Sequence, residues 1–273
     1  EVSITSQENK VDLNGFYRTS DSSFDMKLDI DRLNLKSIQG FTMGNLTNST
    51  GFLTGNFDIS GTVDKPNVVG TLDFNEIGFK VTSLNSNFKS INDQIKFTGE
   101  SIVFDNFGIK DEKDNDLNIN GRILTSTFQD FQFDLNVVAD NFKAINSTAK
   151  DSDLFYGELY IDTKLDIKGD LASPVVNGSL KVNEDTKFTV VLPQSDPSIA
   201  DREGIVEFID PNTVKLFDDA LTMKDSLNTS DIRGILAAVN IEIDKEAEFS
   251  IIIDKANGDF LKLKGEAQLS GGI

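Results

Sequence analysis

A short turn occurs twice in this chain and governs how it can fold. Gly61-Thr-Val-Asp-Lys-Pro66-Asn-Val-Val-Gly70 returns as Gly169-Asp-Leu-Ala-Ser-Pro174-Val-Val-Asn-Gly178. Both copies read G-x-x-x-x-P-x-x-x-G. Each has an alternating apolar run before it, Phe57/Ile59 in the first and Leu165/Ile167 in the second. Alternation at period two marks a strand with one buried face. The first glycine closes a strand, the proline fixes the turn, and the second glycine opens the next strand.

The two prolines lie 174 − 66 = 108 residues apart. The match continues upstream. Phe24, Met26, Leu28 and Ile30, followed by Asn34-Leu-Lys36-Ser-Ile38, resemble Phe131, Phe133, Leu135 and Val137, followed by Asn141-Phe-Lys143-Ala-Ile145. Here the shift is 131 − 24 = 107. Val11-Asp-Leu-Asn-Gly15 matches Leu117-Asn-Ile-Asn-Gly121. A long internal period marks a serially stacked architecture. The expected organisation is one continuous unit over 1–273. A first repeat covers 11–116, a second 117–230, and a partial third 231–273, with a period of about 107 residues.

Alternation covers most of the remaining chain, from Val2/Ile4 and Leu33/Leu35 through Phe188/Val190 to Ile241/Ile243 and Phe249/Ile251/Ile253. The exception is a polar insertion at 210–234, with a short helix expected around Val214 to Leu221 and little contribution to the core. The spacing predicts an all-β chain of roughly 18 to 20 strands. The repeat favours an elongated sheet whose apolar face runs on from unit to unit.

Composition removes several function classes. The net charge is −19 with no basic excess, so nucleic acid is not an expected partner. There is no cysteine and no histidine, which excludes thiol and Ser-His nucleophiles and the usual zinc ligands. Asp116-Leu-Asn118-Ile-Asn120-Gly121 imitates the start of a calcium loop, but the twelfth position is Thr127 where a bidentate Glu is needed. A strand with a glycine bend is the plainer reading. Acidic pairs such as Asp218-Asp219 and Asp201/Glu203 are lost among 45 acidic residues, so no enzyme, metal or cofactor is expected. The longest apolar run, Ile235 to Val239, is far short of a membrane span. Because alternation begins at Val2, the chain is read as part of something longer, with any anchor outside it.

The turns, together with Gly121-Arg-Ile, Phe131 to Val137, Asn141 to Ile145, Phe155-Tyr-Gly157, Phe249 to Asp254 and Gly258 to Gly265, resemble the TamB family of the AsmA-like group. Pro193 and the following Arg202-Glu-Gly204-Ile-Val-Glu-Phe208 resemble its Bacteroidetes-type members. The resemblance implies a β-taco, a U-shaped trough with an apolar inner wall. It implies a periplasmic protein anchored in the inner membrane, working with an outer-membrane barrel of the TamA type. The implied role is outer-membrane biogenesis through phospholipid transport.

On that reading the wall facing acyl chains is Phe24, Met26, Leu28, Ile30, Phe57, Ile59, Phe97, Phe131, Phe133, Leu135, Val137, Leu159, Ile161, Leu165, Ile167, Phe188, Val190, Ile241, Ile243, Phe249, Ile251 and Ile253. Periodicity fits a closed core equally well. The competing function is a structural or adhesive β-solenoid with a dry interior, such as a surface passenger domain.

Overall fold

The computed structural model describes residues 1–6, 8–90, 92–125, 127–192, 236–254, 257–263 and 267–271. The polar insertion, its expected helix and the acidic pairs named above lie outside the described residues. Strands β1 (Val2–Ser6), β2 (Asn9–Arg18), β3 (Ser23–Asn34), β4 (Leu46–Thr62) and β5 (Pro66–Val81) open the sheet. Then come β6 (Ser86–Ser90), β7 (Asp93–Thr98), β8 (Ser101–Lys110), β9 (Asp116–Leu124), β10 (Gln132–Ser147), β11 (Phe155–Asp170), β12 (Pro174–Val182) and β13 (Lys187–Val191). β14 (Leu236–Ile243), β15 (Glu248–Asp254), β16 (Asp259–Leu263) and β17 (Ala267–Gly271) complete one 17-stranded sheet. The only helical elements among the described residues are α1 (Leu35–Ile38) and a 3-10 turn (Gln39–Thr42).

The sheet is an antiparallel meander from β1 to β5. β5 then pairs with β7 along its first half and with β6 along its second, so β6 and β7 form one broken strand. β8 to β11 continue the meander. β11 pairs with β12 and β13 in the same broken manner. The next step is parallel: β14 lies on β12 and β15 on β13. A parallel step needs a long crossover rather than a tight hairpin, and here residues 192–235 join β13 to β14. The result is an elongated all-β trough.

Two devices curl it. Register shifts interrupt β3, β4, β5, β8 and β10. Asn48, Glu76, Asn106 and Asn141 stand there with left-handed backbone. Such bulges bend a strand and increase its twist. Glycines also fall on the apolar face where strands press together. A Cβ on Gly178 would meet the Lys164 carbonyl oxygen at 2.0 Å, and one on Gly70 the Asn56 carbonyl oxygen at 2.1 Å. Side-chain bulk at those points would splay the neighbouring strand.

The two hairpins share one register. Phe57 pairs with Gly70, Ile59 with Val68 and Gly61 with Pro66; Leu165 pairs with Gly178, Ile167 with Val176 and Gly169 with Pro174. Pro66 and Pro174 therefore open equivalent strands at the same rim. The preceding strand departs from the sequence match. Phe24 faces Gly61, and Phe133 faces Gly169. Phe24 is thus the counterpart of Phe133, not of Phe131, a shift of 133 − 24 = 109. Two residues keep the same side-chain parity, so the apolar pattern could not distinguish the registers.

The second departure is at Leu35, expected to continue a strand with Leu33. It begins α1 instead. Asn34-Leu-Lys-Ser-Ile38 and Asn141-Phe-Lys-Ala-Ile145 are alike in pattern, yet only the second is strand. In both copies a side chain from the far end of an earlier strand or turn catches a backbone N–H. Asn34 N donates to Asn9 Oδ1 at 2.7 Å, and Lys143 N donates to Asp111 Oδ2 at 2.8 Å. Beyond that point the partners differ. Asn9 Nδ2 donates to the Ser37 hydroxyl in α1 at 2.8 Å. In the second copy Asn146 N donates to the Leu84 carbonyl at 3.1 Å, and Ser86 Oγ bonds the Ala144 carbonyl at 3.2 Å. Tertiary partners override the shared local preference.

Candidate functional site

Pairing carries one parity across the sheet. Met26 pairs with Ile59, Leu28 with Phe57, Gly70 with Phe97, Phe97 with Ile102, and Ile102 with Ile123. Ile123 pairs with Phe133, Leu135 with Ile167, and Val137 with Leu165. Ile161 then pairs with Val182, Val182 with Ile243, Phe188 with Phe249, and Val190 with Ile251. Paired residues point to the same side of a sheet. The wall residues named from sequence therefore share one face, with two exceptions. Phe131 precedes β10, and Ile253 lies in the bulge of β15 and is 43 % exposed.

Burial divides this face in two. Near one rim the side chains pack on each other. Phe88 and Phe142 stack with centroids 5.5 Å apart and planes 7° apart, and with Ala139 they gather Phe79, Ile109, Leu117 and Ile161. Beside them Val182, Ile243 and Ala247 gather Leu159, Ile241 and Phe249. Ile243 is 1 % exposed. Phe188 is also buried, between Phe155 and Phe249. Toward the other rim the face is less covered. Phe24, Met26, Leu28, Ile30, Ile59, Phe97, Phe133, Leu135, Val137, Leu165 and Ile167 are all half-buried, and none belongs to a packed cluster. Phe57 is buried there, edge-on to Phe97 at 5.3 Å, as is Leu53 further along β4.

The packed end is braced from outside. Asp111, in the β8–β9 turn, is 1 % exposed and accepts from Lys113 N, Asn115 N, Asn115 Nδ2 and Lys143 N. Tyr160 points outward by parity yet is 3 % exposed, because that turn folds over it. Lys113 Nζ lies 4.5 Å and Lys143 Nζ 5.6 Å from its ring centroid. Alternation with Leu159 and Ile161 places Tyr160 outward and carries no sign of this cover, which comes from a turn far away in sequence.

Lys143 donates to Glu158 at 2.7 Å. That hydrogen bond holds the Glu158 carboxyl below the usual carboxylate range, against the opposing effect of burial. A carboxylate depressed in the folded state stabilises above its unfolded value of about 4.3, and loses this as pH falls through the folded value. Glu158→Gln is expected to melt lower than wild type at pH 7. The gap should close in melts taken below about pH 4.

The plainer reading of 116–121 holds in the structure, where β9 places Leu117, Ile119 and Ile123 opposite β8 and β10. No cluster of metal-ligating side chains occurs among the described residues. No helix among them is long and apolar enough to cross a membrane.

With the single apolar face established, comparison with known families is informative. The TamB C-terminal domain matches residues 105–270, more than half of the chain. The chain belongs to the TamB family. No curated protein and no solved structure matches it. The match begins within β8, so it covers the parallel step and the β10 to β15 side of the packed end, but not Phe79 and Phe88. The first hairpin, whose pairing repeats in β11 and β12, lies upstream of it. Family membership associates this TamB chain with outer-membrane assembly and lipid transport at the family level.

Proposed function

We propose that this chain is a section of a non-enzymatic periplasmic conduit, in which phospholipid acyl chains lie along the half-covered apolar wall. The full-length protein would be anchored in the inner membrane and deliver to an outer-membrane barrel of the TamA type. The single observation behind this reading is the shared apolar face with its half-buried stretch toward the rim of Pro66 and Pro174. A strand of six residues spans about 20 Å, close to the length of an acyl chain. The acidic exterior keeps such a wall soluble and works against edge-to-edge association.

The packed clusters around Phe142 and Ile243 favour a second reading, a dry structural solenoid. Native mass spectrometry of protein extracted without detergent separates the two. Bound phospholipid is the expected result; an apo mass from lipid-replete cells overturns the conduit.

A further inference from the structure

We propose that the connection between β3 and β4 is a bilayer-inserting tip: Phe41 and Met43 enter the acyl region of a phospholipid bilayer, and a polar recess at the base of the connection takes a zwitterionic head group. Phe41 is 86 % and Met43 93 % exposed, whereas no other large hydrophobic among the described residues exceeds 63 %. The turn that presents them is braced. Thr42 Oγ1 donates to the Gln39 carbonyl at 2.7 Å and accepts from Leu46 N at 3.1 Å. Gln39 Oε1 accepts from Ser49 N at 3.0 Å, and Thr82 Oγ1 donates to the Gly44 carbonyl at 2.6 Å. Met43 is held in the left-handed region at φ 51°, which side-chain-bearing residues avoid. Two greasy side chains on a fixed, strained turn are apolar surface with no cover.

Charge favours a lipid surface over an acidic or basic protein partner. The chain carries 45 acidic residues, yet residues 32–57 contain none, and Arg32 and Lys36 are the charges there. Asp31 and Asp58 flank it, and Asp29 and Asp73 stand opposite Asn56 and Thr54 on β3 and β5. Glu8 and Glu76 approach from neighbouring turns and strands, with Glu8 alone of these acids lining the recess. This stretch can meet a membrane that the rest of the surface would not approach. Where the connection joins α1 and the start of β4 there is an open recess of about 610 Å³ lined by Glu8, Asn34, Lys36, Ser37, Ser49 and Thr50. Lys36 suits a phosphate and Glu8 an ammonium, and Ser37, Ser49 and Thr50 bring hydroxyls to the same lining. Ser49 is 5 % exposed and its hydroxyl has no partner.

The inference rests on the lipid reading of the wall but is read separately from it. The chain has no tryptophan, so Phe41→Trp supplies the sole reporter. With vesicles of phosphatidylcholine and phosphatidylethanolamine, its emission should shift to the blue and be quenched by brominated acyl chains. Val63→Trp sits in the turn just past the far end of β4, at a residue 62 % exposed, and should stay unquenched. The double variant Phe41→Ser, Met43→Ser should float with the same vesicles at least about tenfold less, with an unchanged melting temperature. Lys36→Gln and Glu8→Gln should each weaken flotation severalfold.

An unmoved Phe41→Trp spectrum, or equal quenching at Val63→Trp, overturns the tip; an unmoved spectrum would leave Phe41 and Met43 as a protein contact. Unchanged flotation of the Lys36 and Glu8 variants overturns the recess. Vesicle insertion by a protein that carries no lipid leaves the tip standing and the conduit refuted. Bound lipid with an unquenched Phe41→Trp does the reverse.

Discussion

Phe133→Arg is expected to give a folded protein that has lost its lipid. Phe133 is the second residue of β10 and lies near the rim. Its partners are Ile123 on one side and Gly169 on the other. Gly169 has no side chain, so a long residue at position 133 has a path across it to water. An arginine there can extend its guanidinium past the rim while its stem stays on the wall. In a closed core the same change would bury an unpaired cation, at a cost of several kcal/mol. Against a total stability of about 5–15 kcal/mol, that would unfold the protein.

The expected result is a melting temperature within a few degrees of wild type, loss of co-purified phospholipid, and an inactive full-length protein. Asp134 is unsuitable as the outer-face control, because Arg122 and Lys168 both stand 4.0 Å from its carboxylate. Gln132→Arg is the better one, since Gln132 pairs with Asp170 and faces solvent. It should keep fold, lipid and activity. Outright unfolding of Phe133→Arg would mean the wall is closed at this point. A folded, lipid-free variant that still supports the outer membrane would refute the conduit mechanism.

Parity was the part of this fold most legible in the sequence. Alternation gives each strand a face, and strong pairing between apolar faces carries that face from Met26 to Phe249. The glycine-proline turns likewise fixed where hairpins begin, because glycine and proline act through local backbone geometry. What depended on distant partners was hidden. The shift that makes Phe133, rather than Phe131, the counterpart of Phe24 preserves parity and so leaves no trace in the pattern. The helical turn at Leu35 follows from Asn9 and Ser37, against Leu84 and Ser86 in the other copy. The division of the wall was hidden for the same reason. Phe142 and Phe133 look alike in sequence, but only Phe142 meets a ring from β6.

That division predicts unequal costs for one substitution at two places on the same strand. Phe142 is 3 % exposed and stacked on Phe88. Truncating a fully buried phenylalanine to alanine costs about 3–5 kcal/mol, because a cavity is left that its surroundings only partly fill. At about 2–4 °C per kcal/mol for a chain of this size, Phe142→Ala should lower the melting temperature by roughly 6–20 °C. Phe133 has less contact to lose, and Phe133→Ala should cost about 1–2 kcal/mol. Phe142→Leu, which keeps most of the volume but not the ring, should fall between them. Hydrogen exchange locates the damage. The Asn146 N–H bond to the Leu84 carbonyl closes the packed end, so amides at 142–147 and 86–90 should exchange faster in Phe142→Ala. Amides of the β11–β12 hairpin around Gly169 should keep their protection. Equal losses at the two phenylalanines would mean one uniform core from rim to rim, with no half-open stretch left for an acyl chain.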